Sequence, residues 1–429
     1  MALDPEELKK RRQQRQEARQ QLQKKLRIRL GIAVGAVITG IAVVVCVMMA
    51  IALLGKDKAP SETTQTETMT QVEASTEQTQ ASTKEPASTV IHLAAAGDLN
   101  VTQAVVDAGG GEYDYTNMLL DVAPVLAQAD ITAVNFEGSL FGTPYGEDRS
   151  APQGLMESLS AAGVDLIQLA NSYSIYKGMD GLSATLDGIR AAGMEPVGAY
   201  ATADEAKKAK GYTIRNVQGV KIAFVAFTKG MDGMALPPGN ENCVNVLYTD
   251  YATDYQKVDT EGITRVLDAA ARERPDITVA LLHWGSEYND TVSKSQQQIC
   301  GLLQENGVDA IIGTHSHYVQ KMEFDEKAGT FVAYSLGDFL GDATWAGAEY
   351  SVILDLEITK NNKTGDTKIT GFDYTPIFTV VEKDQPLRAV RIDTAIAAYE
   401  GGYIDRVGAG NYEAMKYALT RIDARIKGE

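Results

Sequence analysis

The chain has 429 residues, 44% of them apolar and 23% charged, which fits a globular protein with a substantial core and excludes a wholly disordered one. Its net charge of −17 excludes a general nucleic-acid binder, because gripping phosphates takes an excess of Lys and Arg. Three cysteines, Cys46, Cys243 and Cys300, make no disulfide scaffold and no Cys-based metal motif. Their spacing leaves open whether Cys243 and Cys300 pair, while Cys300, on the apolar side of a predicted helix, reads as a core thiol.

The charge is unevenly spread. Residues 1–29 hold ten Lys or Arg against four Asp or Glu, a net of +6 that leaves −23 for the remainder, and they read as a basic helix. Residues 30–54 then run without a charge, long enough to cross a bilayer core of about 30 Å as a helix. A cleaved signal peptide competes with this reading, but its apolar core usually spans about 7–15 residues, and residues 55–64 lack a small-x-small cleavage site. An uncleaved, single-pass transmembrane anchor is therefore expected. The basic cluster precedes the span, which puts residues 1–29 in the cytoplasm and the C-terminal body outside the cell membrane. Residues 55–88, rich in Ser, Thr, Gln and Glu, cannot repay the entropy of ordering and are expected to form a disordered tether. Residues 89–429 make the extracellular domain.

In that domain strand-like runs alternate with amphipathic helical runs. Strands are predicted at 90–96, 131–135, 166–170, 221–228, 278–283, 310–313, 331–335 and 351–358. Helices are predicted at 154–162, 181–192, 263–272 and 294–306, with a closing helix from Asn411. The alternation implies an α/β fold, and a hairpin turning at Gln218-Gly219 makes its sheet mixed.

Candidate chemistry stands at strand ends, where open α/β sheets place ligand sites. Asp98 and Asn100 follow the first strand, although Gly-Asp alone is commonly a turn. Asn135 and Glu137 end the second, where Glu137 is either a ligand or a loop cap. Asn171, Ser172 and Tyr173 follow the third. His283 ends the fifth, and His315 and His317 follow the sixth as His-x-His. A tight loop after that strand can turn both imidazoles inward. The chain has four histidines, and three of them stand at strand ends. With Asp98 and Glu137 they point to a divalent-metal site. The fourth, His92, lies inside a strand and reads as structural.

The ordered series Ala-Gly-Asp98, Asn135-Phe-Glu137-Gly, Leu-Ala-Asn171, Leu-His283-Trp-Gly-Ser-Glu-Tyr288, Gly-Thr-His315-Ser-His317 and Tyr334-Ser-Leu-Gly-Asp338-Phe-Leu resembles the poly-γ-glutamate capsule-synthesis (CapA) family of the calcineurin-like metallophosphatase superfamily. The likeness runs from about residue 91 to 379. It implies a metallophosphatase-like β-sandwich flanked by helices (α/β/β/α), with one or two divalent ions, Mn, Zn, Fe or Mg, at the strand ends. By this resemblance Asp98 is the first aspartate ligand, and Asn100 stands where the superfamily often has histidine. Glu137, with Asn135, stands where a bridging carboxylate is expected, and His283, His315 and His317 supply imidazoles. The family's Leu-Ala-Asn-Asn-His is here Leu169-Ala170-Asn171-Ser172-Tyr173. Ser172 thus occupies a ligand position, and Asn171 and Tyr173 occupy the catalytic positions. Asp338 replaces the usual Asn, either as an oxygen ligand or as a turn cap.

The resemblance implies a membrane-anchored protein acting in synthesis, export or anchoring of an extracellular anionic polymer of the poly-γ-glutamate type, or in its membrane synthesis complex. Metal-dependent hydrolysis or transfer is one form of that role. The departures at Ser172 and Tyr173 keep open a catalytically silent accessory or binding subunit, and a surface phosphodiesterase or nucleotidase is a third possibility.

Overall fold

The computed structural model describes residues 86–341, 343–382, 384–403 and 407–429. The expected basic segment, membrane span and nearly all of the tether lie outside the described residues. Among the described residues no helix is long and apolar enough to cross a membrane.

Fourteen strands are seen: β1 (Ser88–Asn100), β2 (Ile131–Glu137), β3 (Leu166–Gln168), β4 (Glu195–Val197), β5 (Tyr212–Val217), β6 (Val220–Thr228), β7 (Ile277–His283), β8 (Ala310–Thr314), β9 (Met322–Asp325), β10 (Thr330–Ala333), β11 (Asp338–Leu340), β12 (Tyr350–Asn361), β13 (Thr367–Val380) and β14 (Arg388–Arg391). They form two sheets. One runs β14-β13-β12-β1-β2-β3-β4, with β11 alongside β1, and the other runs β5-β6-β7-β8-β10-β9. Strands β1 to β4 are mutually parallel, as are β6, β7, β8 and β10. The fold is therefore mixed α/β, as the alternating runs imply.

The layering follows from side-chain alternation. In β6, Ile222, Phe224 and Ala226 join the core shared with the first sheet, while Ala223, Val225 and Phe227 join a second core. That second core is closed by Ile263, Val266 and Leu267 of the helix Thr260–Ala271 and by Ile299, Cys300 and Leu303 of the helix Lys294–Glu305. A strand buried on both faces has no polar side, which is why β6 reads as a continuous apolar run. The helix Lys294–Glu305 starts sharply because Ser293 and Gln296 form a reciprocal capping box. The helices Gln153–Ala162, Gly178–Ala191 and Ala409–Lys427 add Leu155, Leu186 and Met415 to the first core. Cys243 and Cys300 are both buried and free.

The predicted hairpin turns on Gln218 and Gly219, both left-handed at φ 50° and 87°, as a tight two-residue connection requires. All eight predicted strands are present. The strand expected at 166–170 stops at Gln168, where the chain turns into the Asn171 loop. Strands β4, β9, β11, β13 and β14 are additional. β13 is long but largely half-exposed, and its Lys368, Thr370, Asp373 and Thr375 break up the apolar pattern.

Two glycines set how closely the strand ends approach. A Cβ on Gly97 would lie 1.8 Å from the Gly337 carbonyl oxygen, and one on Gly313 would lie 2.0 Å from that of Tyr334. The first contact allows Asp98 to donate its N–H to Gly337 O at 3.1 Å and sets Asp98 opposite Asp338 across β1 and β11. Because backbone blocks the methyl, Gly97→Ala is expected to destabilise the fold by about 1–3 kcal/mol, the usual cost of overpacking. Chemical denaturation checks this, and an unchanged midpoint would contradict the packing described.

Candidate metal centre

The carboxyl ends of β1, β2, β7 and β8 converge with the start of β11. Asp98 from β1, Glu137 from β2 and His283 from β7 form one candidate ligand group. Asp98, His317 and Asp338 form a second, so the Asp98 carboxylate is common to both. In each group the ligand atoms lie within 4.8 Å of one another, and every member is buried. The His283 and His315 rings are 4.4 Å apart and those of His315 and His317 6.3 Å apart, centroid to centroid.

The His-x-His arrangement depends on unusual backbone. His315 has φ 86° and His317 φ 58°, both left-handed, in the loop after β8 that carries both imidazoles into the site. Such conformations cost about 1–3 kcal/mol for a non-glycine residue and persist where the surroundings enforce them. Here Asp98 does so by accepting the His315 backbone N–H at 2.8 Å on Oδ2.

Around the ligand groups lies a polar frame. Asn135 Nδ2 donates to Asp98 Oδ1 at 2.6 Å, and Asn135 Oδ1 accepts from Asn171 Nδ2 at 3.0 Å. Asn171 also donates to Phe136 O at 2.7 Å and accepts from the Tyr173 N–H at 2.9 Å. His283 lies between Thr314 Oγ1, 3.1 Å from its Nδ1, and Ser172 Oγ, 3.1 Å from its Nε2. Asn100 Nδ2 is 3.5 Å from His317 Nδ1. All ten residues singled out at the strand ends thus meet in one site. His92 stands elsewhere, half-exposed and paired with Asp355 at 3.0 Å.

Burial governs the charges. It raises Asp98 above the usual carboxylate range, and it raises Glu137 well above it, helped by the neighbouring Asp98 charge. Burial lifts Asp338 to about 6 against the pull of His317. His283 and His315 are held well below the usual imidazole range, first by burial and then by neighbouring cationic groups, so both are neutral near pH 7. For His317 burial acts downward, but the Asp338 carboxylate at 2.7 Å, with Glu137 and Asp98, outweighs it and raises the ring to about 10.

These residues fit a divalent cation. Three buried carboxylates crowd together with a single cationic ring among them, and an added positive charge offsets their repulsion. His315 Nε2 is buried and has no hydrogen-bond partner, a lone pair or N–H without a use in the protein alone. The oxygen and imidazole donor set suits Mn, Fe, Zn or Mg.

Several residues at the site carry no clear signal in the sequence. Arg149, on the loop after β2, donates to Tyr173 Oη at 2.8 Å and to Asn100 Oδ1 at 3.4 Å. Thr314 orients His283 and is legible only as a polar residue ending β8. Tyr288 stacks on His317 with 5.0 Å between ring centroids, and the exposed Trp345 lies against Tyr288 at 4.8 Å. Asp338 belongs to the second ligand group, which is the oxygen-ligand position open to it from sequence.

In protein stripped of divalent ions, His317 is expected to stay protonated through neutral pH and to lose its proton only as pH rises towards 10. Asp338→Asn removes the principal raising charge, so the transition should move to lower pH. Ring-nitrogen NMR of His317 reads both, and a midpoint near the ordinary imidazole value in the unaltered chain would contradict the ion pair.

A family model described as bacterial capsule synthesis protein PGA_cap matches residues 92–343. The chain is 27% identical over 264 residues to the PGA biosynthesis protein CapA of Bacillus subtilis, covering 59% of this chain and 63% of that protein, just under two thirds of its length. It is 24% identical over 311 residues to the capsule biosynthesis protein CapA of Bacillus anthracis, covering 68% and 70%. Among solved structures, the calcineurin-like phosphoesterase YfkN of Bacillus subtilis aligns at 15% identity with a TM-score of 0.43, covering 77% of this chain and 99% of that one. A Mycoplasma pneumoniae phosphatase aligns at 14% identity and TM-score 0.43, covering 68% and 94%. The family match takes in more than half of the chain and every strand end that contributes to the buried cluster, and the chain belongs to the bacterial capsule synthesis protein family, PGA_cap.

Proposed function

We propose that this is a membrane-anchored capsule-synthesis protein that faces outward and uses a divalent-metal centre in making, exporting or anchoring a poly-γ-glutamate-type polymer. The names of the Bacillus relatives support the polymer, and the uncharged stretch 30–54 behind a basic segment supports the anchor and the orientation. The observation that carries the metal reading is the pair of buried ligand groups sharing Asp98, beside the unpartnered Nε2 of His315.

Asp98, Glu137 and His283 would hold one ion and Asp98, His317 and Asp338 a second, with His315 adding an imidazole. When bound, such ions supply Lewis-acid polarisation of a phosphoryl or carbonyl oxygen. The chain's own residues do the rest. Asn135 fixes Asp98, Thr314 fixes the ring of His283, and the apolar sheets behind exclude water. A net negative body facing a polyanion is repulsive, and divalent ions at this site would offset that repulsion locally. Elemental analysis of the purified chain is expected to find one or two Mn, Fe, Zn or Mg per chain, and His315→Ala with His317→Ala to remove most of it. Metal-free wild type that stays metal-free after incubation with each of these ions would sink this reading.

One observation favours binding without turnover. Burial pushes the Tyr173 phenol up to about 12, so it keeps its proton at neutral pH and cannot shuttle one as an imidazole would. If the departures at this loop are what silence the site, Ser172→Asn with Tyr173→His should raise hydrolysis of a model phosphodiester by about tenfold or more, within the usual contribution of a general acid. An inactive double variant with its metal in place points instead to an accessory role. Assays across nucleotides and polyglutamate separate a surface phosphodiesterase from a capsule protein.

A further inference from the structure

Arg149 is placed with unusual care for a loop residue. Its carbonyl accepts the Ser139 N–H at 2.9 Å, and the Ala151 N–H is bonded to Ser139 O at 2.8 Å. The loop is thereby tied two residues beyond Glu137. Arg149 itself has a left-handed φ of 60°, which turns its side chain off the ordinary path of the loop. The guanidinium lies 4.3 Å from the Tyr173 ring centroid and donates to Tyr173 Oη and to Asn100 Oδ1.

Both of those acceptors are neutral. Arg190, Arg215, Arg391 and Arg425 each pair with a carboxylate, whereas Arg149 forms no ion pair among the described residues. In a chain of net charge −17, this half-buried arginine sits beside the metal centre, near enough for its charge to act on Glu137 yet with no carboxylate within ion-pair distance among the described residues, and is poised for an anion supplied from outside. Two of its five N–H groups are used by the neutral oxygens, and the others remain for a fork-like grip. Tyr173 Oη accepts from Arg149 and donates to no acceptor among the described residues, which leaves its O–H available to the same guest. Through Asn100, which also reaches His317, the pair is coupled to the second ligand group.

We propose that Arg149 and Tyr173 form an oxyanion clamp that holds a phosphate or carboxylate group of the substrate next to the metal centre. The clamp deepens the function proposed above and rests on it. It assigns the phenol at 173 a recognition role in place of proton transfer. The substrate class is one with an anionic group adjoining the scissile or transferred bond, as both phosphoesters and γ-linked glutamates have.

The test titrates inorganic phosphate and, separately, glutarate into the full chain loaded with Mn²⁺, by calorimetry, with Mn content measured on each sample. Arg149→Gln is expected to weaken the bound anion about tenfold or more, as loss of a charge-assisted hydrogen bond predicts, with Mn content unchanged. Tyr173→Phe is expected to weaken it less, and Arg149→Lys to restore part of the loss, which a purely structural arginine would not show. Phosphate held selectively marks a phosphoester substrate, and glutarate held selectively marks the polymer's carboxylates. Equal affinity in wild type and Arg149→Gln, or no binding of either anion by Mn-loaded wild type, overturns the clamp and leaves the metal centre standing. Wild type without Mn overturns the metal centre, and the same wild-type and Arg149→Gln comparison under chelator then decides the clamp by itself.

Discussion

The Asp98 carboxylate ties the two sheets together at one point. Its Oδ1 accepts from Asn135 at the end of β2 and its Oδ2 accepts the backbone N–H of His315 after β8, while the backbone N–H of Asp98 donates to the Gly337 carbonyl before β11. A carboxylate removed from water costs several kcal/mol unless its lone pairs are met, and here each oxygen is met by a different part of the fold. The same group is common to both candidate ligand sets. The fold and the candidate metal centre therefore depend on one side chain, and the bonds that fix it leave it little freedom to adjust.

The geometry around Asp98 follows from parallel pairing. Because β1, β2 and β3 run alike, as do β6, β7 and β8, their carboxyl ends lie at the same edges of their sheets. Residues far apart in sequence, such as Glu137 and His283, then come within 3.4 Å without any of them leaving a strand. Gly97 and Gly313 let backbone approach backbone where any side chain would hold the edges apart. The left-handed residues His315 and His317 complete the arrangement in the loop where the chain leaves β8.

The sequence displays the parts of this fold that repeat with a period. Continuous apolar runs mark the buried central strands, and the polar residues ending them mark the cluster, including Asp98, Glu137, His283, His315 and His317. The left-handed turn at Gln218-Gly219 is equally plain, since local backbone preference sets it. Other features have no period to betray them. β13 is half-exposed, so its polar residues hide a strand as long as any in the sheet. Arg149 sits in an acidic loop whose composition resembles any solvated turn, and its position is set by long-range bonds to Ser139, Asn100 and Tyr173. Asp338 reads more readily as a turn cap than as a ligand until β11 is placed beside β1.

The two tryptophans occupy opposite environments. Trp284 is buried, stacked on Tyr334 and bonded through Nε1 to the Tyr334 carbonyl at 2.8 Å. Trp345 is 56% exposed and rests on Tyr288, which in turn covers His317. The indole at the rim is the one whose surroundings change with whatever enters or leaves the neighbourhood of His317, while the other is fixed in the core directly after His283.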